Sequence, residues 1–186
     1  MYLAQRVMTA LWIAVGLAVS PASLAEEPSP TTVPARAATT VEHVPPALDE
    51  LVGQWQVEAT DPTTGKTEKI RYDVRRFAGE AWLSGSGKTE DPGFESKDVW
   101  GIDPITKEVI RIVFLGSGTY AIVRSPGWND RRLVLEGDAR SADGIMRVRE
   151  TIEWVNRDEF HATWEAQRDG TWHAYSVEKV TRLPAR

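Results

Sequence analysis

The chain is 186 residues long, with 22 Lys and Arg against 27 Asp and Glu, a net charge of −5, and no Cys. An acidic balance is a poor match for the phosphate backbone of nucleic acid or for an anionic lipid surface, so neither is expected as a partner. Without Cys there are no disulfides and no thiolate metal sites, and the fold must rest on its own apolar core.

Residues 1–25, MYLAQRVMTALWIAVGLAVSPASLA, have the layout of a secretory signal peptide. Arg6 supplies the positive start, Val7 to Val19 the apolar run, and Ser23 and Ala25 the small residues that flank a cleavage site. The apolar run is shorter than the ~20 residues needed to span a bilayer. Cleavage near Ala25 is therefore expected, giving a periplasmic or secreted product that is not embedded in a membrane. The leader removes one Arg and no acid, so the net charge goes from −5 to −6.

Residues 26–46, EEPSPTTVPARAATTVEHVPP, hold five Pro and no apolar periodicity. Such a stretch cannot bury enough surface to offset its ordering entropy and reads as a flexible tether. The folded domain is expected over residues 47–186, opening with at most a turn or two of helix around Pro46 to Leu51.

Beyond it, turn signals recur at short intervals, among them Asp61-Pro62 with Gly65, Asp91-Pro92-Gly93, Asp103-Pro104, Ser125-Pro126-Gly127, Asp143-Gly144 and Asp169-Gly170. Each offers Pro to preset a turn or Gly, Asn and Asp to accept positive φ. The runs between them alternate. Leu51, Gly53, Trp55, Val57 and Ala59 oppose Gln54, Gln56 and Glu58; Ile70, Tyr72 and Val74 oppose Lys69, Arg71 and Asp73. Further on, Ile110, Ile112 and Phe114 oppose Arg111, Met146, Val148, Ile152 and Trp154 oppose Arg147, Arg149 and Glu153, and Phe160, Ala162, Trp164 and Ala166 oppose His161, Thr163 and Glu165. Period two with one apolar face describes antiparallel strands wet on one side. Closing so many short strands into an up-and-down barrel removes their unpaired edges. The expected fold is all-β, an antiparallel barrel of about eight to ten strands.

A short turn followed by Gly53-Gln54-Trp55 at the head of the first strand resembles the signature of the lipocalin (calycin) superfamily. The late Asp169-Gly170-Thr171-Trp172 and a strand ending in Lys179-Val180-Thr181-Arg182 are similar to bacterial lipocalin-like domains of unknown function. The resemblance implies that Trp55 closes one end of the barrel, with Arg182 lying over its ring and Gly53 leaving room. A guanidinium on an indole face contributes about 0.5–2 kcal/mol. The N-T-D-Y-like stretch and the disulfides usual in lipocalins are missing here.

Seven Trp follow the leader, enough either to line a cavity or to fill a small core. If a cavity exists, Tyr72, Trp82, Trp100, Tyr120, Trp154 and Trp164 are the expected lining. Alternation also places charged groups on apolar faces: Arg76 after Val74, Asp98 before Trp100, Arg124 after Ile122, and Glu150 between Val148 and Ile152. A buried charge must be paired or neutralised, so Arg76 and Glu150 are expected either to pair or to hold a ligand's polar head. Gly87-Lys88-Thr89 fails as a phosphate loop, because Trp82 stands where the first Gly is required. His161 and His173 could meet across a hairpin, but no third ligand accompanies them, so no metal, cofactor or catalytic set is assigned. The expected function is a binding module for a small apolar or amphipathic ligand. The alternatives are a structural or protein-interaction barrel and a calycin-like cyclase or isomerase working inside the barrel.

Overall fold

The computed structural model describes residues 46–79, 81–90 and 93–184. The expected signal peptide and all but the last residue of the expected tether lie outside the described residues.

A four-residue helix, α1 (Pro46–Asp49), leads into eleven strands. They are β1 (Gly53–Thr60), β2 (Thr67–Phe77), β3 (Trp82–Thr89), β4 (Glu95–Ile102), β5 (Val109–Leu115), β6 (Tyr120–Ser125), β7 (Trp128–Asn129), β8 (Arg132–Ser141), β9 (Gly144–Asn156), β10 (Glu159–Arg168) and β11 (Thr171–Arg182). Every pairing is antiparallel and nearly every neighbour in sequence is a neighbour in space, as short hairpin connections require. Two pairings close the sheet. β1 meets β11, with Trp55 opposite Arg182, and β6 meets β8, with Val123 opposite Gly137. The two-residue β7 attaches only to β8, outside the ring, so ten strands make the barrel wall.

The apolar core is built from the alternating residues of β1, β2, β9 and β10 that the sequence indicates, joined by Val180 of β11. Trp55, Val57, Val74, Val148, Ile152, Phe160, Ala162 and Val180 are buried. The outer face carries cross-strand ion pairs such as Lys69 with Glu58, Arg132 with Glu153 and Lys179 with Glu159, the pattern of a sheet that faces water. Among the described residues no helix is long and apolar enough to cross a membrane.

Two strands face the other way from the sequence expectation. In β5 the inward residues are Val109, Arg111 and Val113, set by the pairings of Arg111 with Trp100 and Val123. Ile112 and Phe114 point outward, and Phe114 is 47% exposed. In β6, Ala121 and Val123 are inside while Ile122 and Arg124 are outside, where Arg124 reaches Asp103 at 2.6 Å. Both strands are apolar on both faces, so alternation alone does not fix their parity; the register of their neighbours does.

Candidate functional site

The two ends of the barrel differ. At the first, the Trp55 indole is fully buried and donates to the carbonyl of Leu51 at 2.9 Å. The Arg182 guanidinium lies 4.0 Å from its ring and donates to the carbonyls of Val52 (2.8 Å) and Glu50 (2.7 Å). Gly53 makes the approach possible, since a Cβ there would stand 2.6 Å from Arg182 Nη1, and its φ of +141° favours glycine in any case. Phe160 packs edge-on to Trp55 with centroids 5.2 Å apart, and Trp154 lies 6.0 Å from it. Trp154 therefore belongs to this plug, not to a cavity wall.

Above the plug a cavity of about 610 Å³ reaches the end that carries the β1–β2, β3–β4 and β5–β6 hairpins. Its walls are largely apolar, with Val57, Ile70, Phe94, Val113, Ile152 and Phe160 among them, and the volume falls in the ~300–1,000 Å³ range of small-molecule sites. At mid-depth runs a polar belt centred on Arg111. Its side chain is 11% exposed; Nε and Nη2 donate to Asp98 Oδ2, the former at 3.0 Å, and Nη1 donates to Glu150 Oε1. Trp100 flanks the guanidinium at 4.3 Å from its ring centroid and Trp164 at 5.4 Å. The same Asp98 oxygen accepts from the Tyr72 hydroxyl at 2.8 Å and the Trp100 indole at 3.3 Å. Gly85 leaves the space this needs, because a Cβ there would fall 1.8 Å from Asp98 Oδ1 and 2.4 Å from the Tyr72 hydroxyl.

The belt continues on β11. A bulge there leaves Tyr175 unpaired between Ser176, opposite Trp164, and Ala174, opposite Glu165, so that Tyr175 and Ser176 both line the cavity. Glu178, opposite Ala59 on β1 and Ala162 on β10, lines it too. Its Oε1 shares a hydrogen bond of 3.1 Å with the Ser176 hydroxyl. Burial pushes the Glu178 carboxyl up to about 7, helped by the charge of Glu150 and opposed by Arg111 and Ser176. Glu178 keeps part of its surface open only because the space it faces is hollow. Burial likewise raises Glu150 against the pull of Arg111, and it keeps Tyr72 and Tyr175 protonated well past their usual range.

Of the residues indicated by sequence, Tyr72, Trp100, Glu150 and Trp164 come together at this cavity. Tyr120 borders it at the rim while its ring stacks on Phe114 at 6.4 Å on the outer face. Trp82 does not reach it: its pairing with Phe77 and Gly101 puts it on the outer face, its ring across Gly101. Arg76 is not the partner of Glu150. It lies toward the plug and pairs with Asp49 of α1 at 2.8 Å, which separates the two residues proposed for interior chemistry. The partner is Arg111, hidden in sequence because its neighbours Ile110 and Ile112 suggested that the apolar side was theirs. The visible signal was a lone charge in a seven-residue strand otherwise without one. Glu178 was masked by the bulge, which shifts the alternation of β11. His161 stands opposite Lys179 and His173 opposite Ala166, so they do not meet. Among the described residues no group of three or more His, Asp or Glu is placed to hold a metal ion.

Compared with known proteins, residues 40–182 match a family model described as "Protein of unknown function (DUF1579)". No curated protein matches the chain.

Proposed function

Since the chain belongs to the DUF1579 family, whose description assigns no activity, we propose from the barrel itself that it is a binding module for a small amphipathic molecule held in the cavity. The observation that carries this reading is the cavity of about 610 Å³ with apolar walls and a polar belt half-way down. Such a shape removes a ligand's apolar part from water at about 25 cal/mol per Å² while a few placed polar groups orient its head. The leader-like layout of residues 1–25 supports an exported setting for this binding, with cleavage near Ala25.

The test is native mass spectrometry of protein purified from the periplasm, followed by titration with a panel of dodecyl amphiphiles while emission is read from the Trp residues, two of which, Trp100 and Trp164, line the cavity. A co-purifying adduct, or saturable quenching at one molecule per chain, is expected. A chain that arrives empty and stays empty across the panel would falsify the reading and leave a structural or protein-interaction barrel in its place.

A further inference from the structure

We propose that the cavity selects a cationic amphiphile, a protonated primary or secondary amine on an apolar chain, over the corresponding carboxylate. The proposal rests on the small-molecule reading above and names the class of ligand that the same site takes.

Arg111 is the one cation of the polar belt, and its single charge already faces two carboxylates. Each of its three guanidinium nitrogens already donates to Asp98 or Glu150, and Trp100 and Trp164 flank it. A fatty-acid carboxylate would bring a third negative charge to one guanidinium in a buried setting and leave that charge uncompensated. Lys88, which also borders the cavity, sits at the rim and is engaged with Glu95 at 3.1 Å.

The acceptors, by contrast, are in surplus. Glu150 is 2% exposed and lines the cavity, yet its Oε2 accepts no hydrogen bond. Glu178 faces the same space with one hydrogen bond, to the Ser176 hydroxyl. Asp98, Glu150 and Glu178 thus face a single guanidinium, so the interior is one positive charge short with Glu178 protonated and two short with it ionised. An ammonium head donating to Glu178 and Glu150 supplies a missing cation and the missing donors together, beside the Trp164–Tyr175 ring pair, whose centroids stand 6.5 Å apart.

Protonation of Glu178 is the competing way to reduce the excess of negative charge. The groups around it are Glu150 on β9, Arg111 on β5 and Tyr175 and Ser176 on its own strand, while its pairing partners Ala59 on β1 and Ala162 on β10 add no charge. With its carboxyl at about 7, Glu178 is mostly ionised at pH 8 and mostly protonated at pH 6. An alkylamine stays protonated throughout, with an ordinary value near 10.4. Amine binding therefore strengthens as pH rises across this window.

Calorimetric titration of the full chain with dodecylamine, dodecanol and dodecanoate, each below its micellar concentration, tests the proposal. At pH 8 dodecylamine binds about tenfold or more tighter than dodecanol, and dodecanoate binds weakest. From pH 8 to pH 6 the dodecylamine affinity falls about tenfold by proton linkage while that of dodecanol holds. Glu150→Gln disturbs the Arg111 pair and with it folding, so Glu178→Gln is the informative variant: it removes the pH slope and most of the amine preference and leaves dodecanol binding in place. Dodecanoate binding as tightly as dodecylamine, or a slope that survives in Glu178→Gln, overturns the proposal but leaves small-molecule binding standing. No binding of any of the three overturns both.

Discussion

At the closed end Arg182 lies 4.0 Å over Trp55; half-way up the barrel Arg111 lies 4.3 Å over Trp100. The contact is the same and its surroundings are opposite. Arg182 donates to the backbone carbonyls of Val52 and Glu50 and pairs with the exposed Asp158 at 3.2 Å, its Trp satisfies its own N–H locally, and Leu48, Leu51 and Phe160 fill the remaining space. Arg111 is held by two acidic side chains across a hollow, and each of them keeps an oxygen without a partner. An Arg–Trp pair with apolar side chains packed around it makes a plug. An acid-rich pair beside open volume makes a site, because unmet hydrogen-bonding capacity in a low dielectric is costly until something meets it.

The plug end should suffer most from truncation. Trp55→Ala deletes a fully buried ring and strips Arg182 of the surface it covers, so we expect a loss of about 3–5 kcal/mol in urea unfolding. A loss under ~1 kcal/mol would mean that the closed end contributes little and that the contrast between the two regions is misplaced.

The plug was legible in the sequence and the site only half so. Trp55 is marked by the alternation of the first strand and Arg182, at the end of the last, by the family resemblance that sets an Arg over such a Trp; the register pairs them directly. Tyr72, Trp100, Glu150 and Trp164 were legible by alternation as well, each lying on a strand with one polar and one apolar face. Arg111 was not, since β5 and β6 carry apolar residues on both faces and only the neighbouring strands decide which is inside. Glu178 was hidden by one extra residue, Tyr175, that no local pattern announces. The hollow itself is a property of ten strands closing at once, beyond any single stretch of chain.

The site end should respond to pH where the plug does not. In the unfolded chain Glu178 titrates near 4.5 and in the barrel at about 7, so between those values the folded state holds the extra proton. Stability therefore falls as pH rises through this window and levels off above it. The displacement corresponds to at most ~3 kcal/mol. Glu178→Gln, neutral throughout, should be little changed at pH 4 and more stable than the parent at pH 8, read as the difference between two urea midpoints. Equal midpoints at pH 8 would place the carboxylate in a far better solvated setting than the cavity wall.

The smallest expected effect tests the boundary between the regions, the facing of β5. With Phe114 turned outward and 47% exposed against Tyr120, Phe114→Ser removes little buried surface and should cost under ~1 kcal/mol. Val113, its neighbour in sequence, is 9% exposed and lines the cavity, so Val113→Ser puts a hydroxyl beside the apolar wall and should cost more. The order of the two losses is the informative quantity. If Phe114→Ser were the costlier, β5 would present Ile110, Ile112 and Phe114 to the interior, Arg111 would face water, and Asp98 and Glu150 would be left inside without their cation. Carboxylates stranded in that way are not tolerated in a stable core, so the pair of substitutions tests the polar belt through residues that do not belong to it.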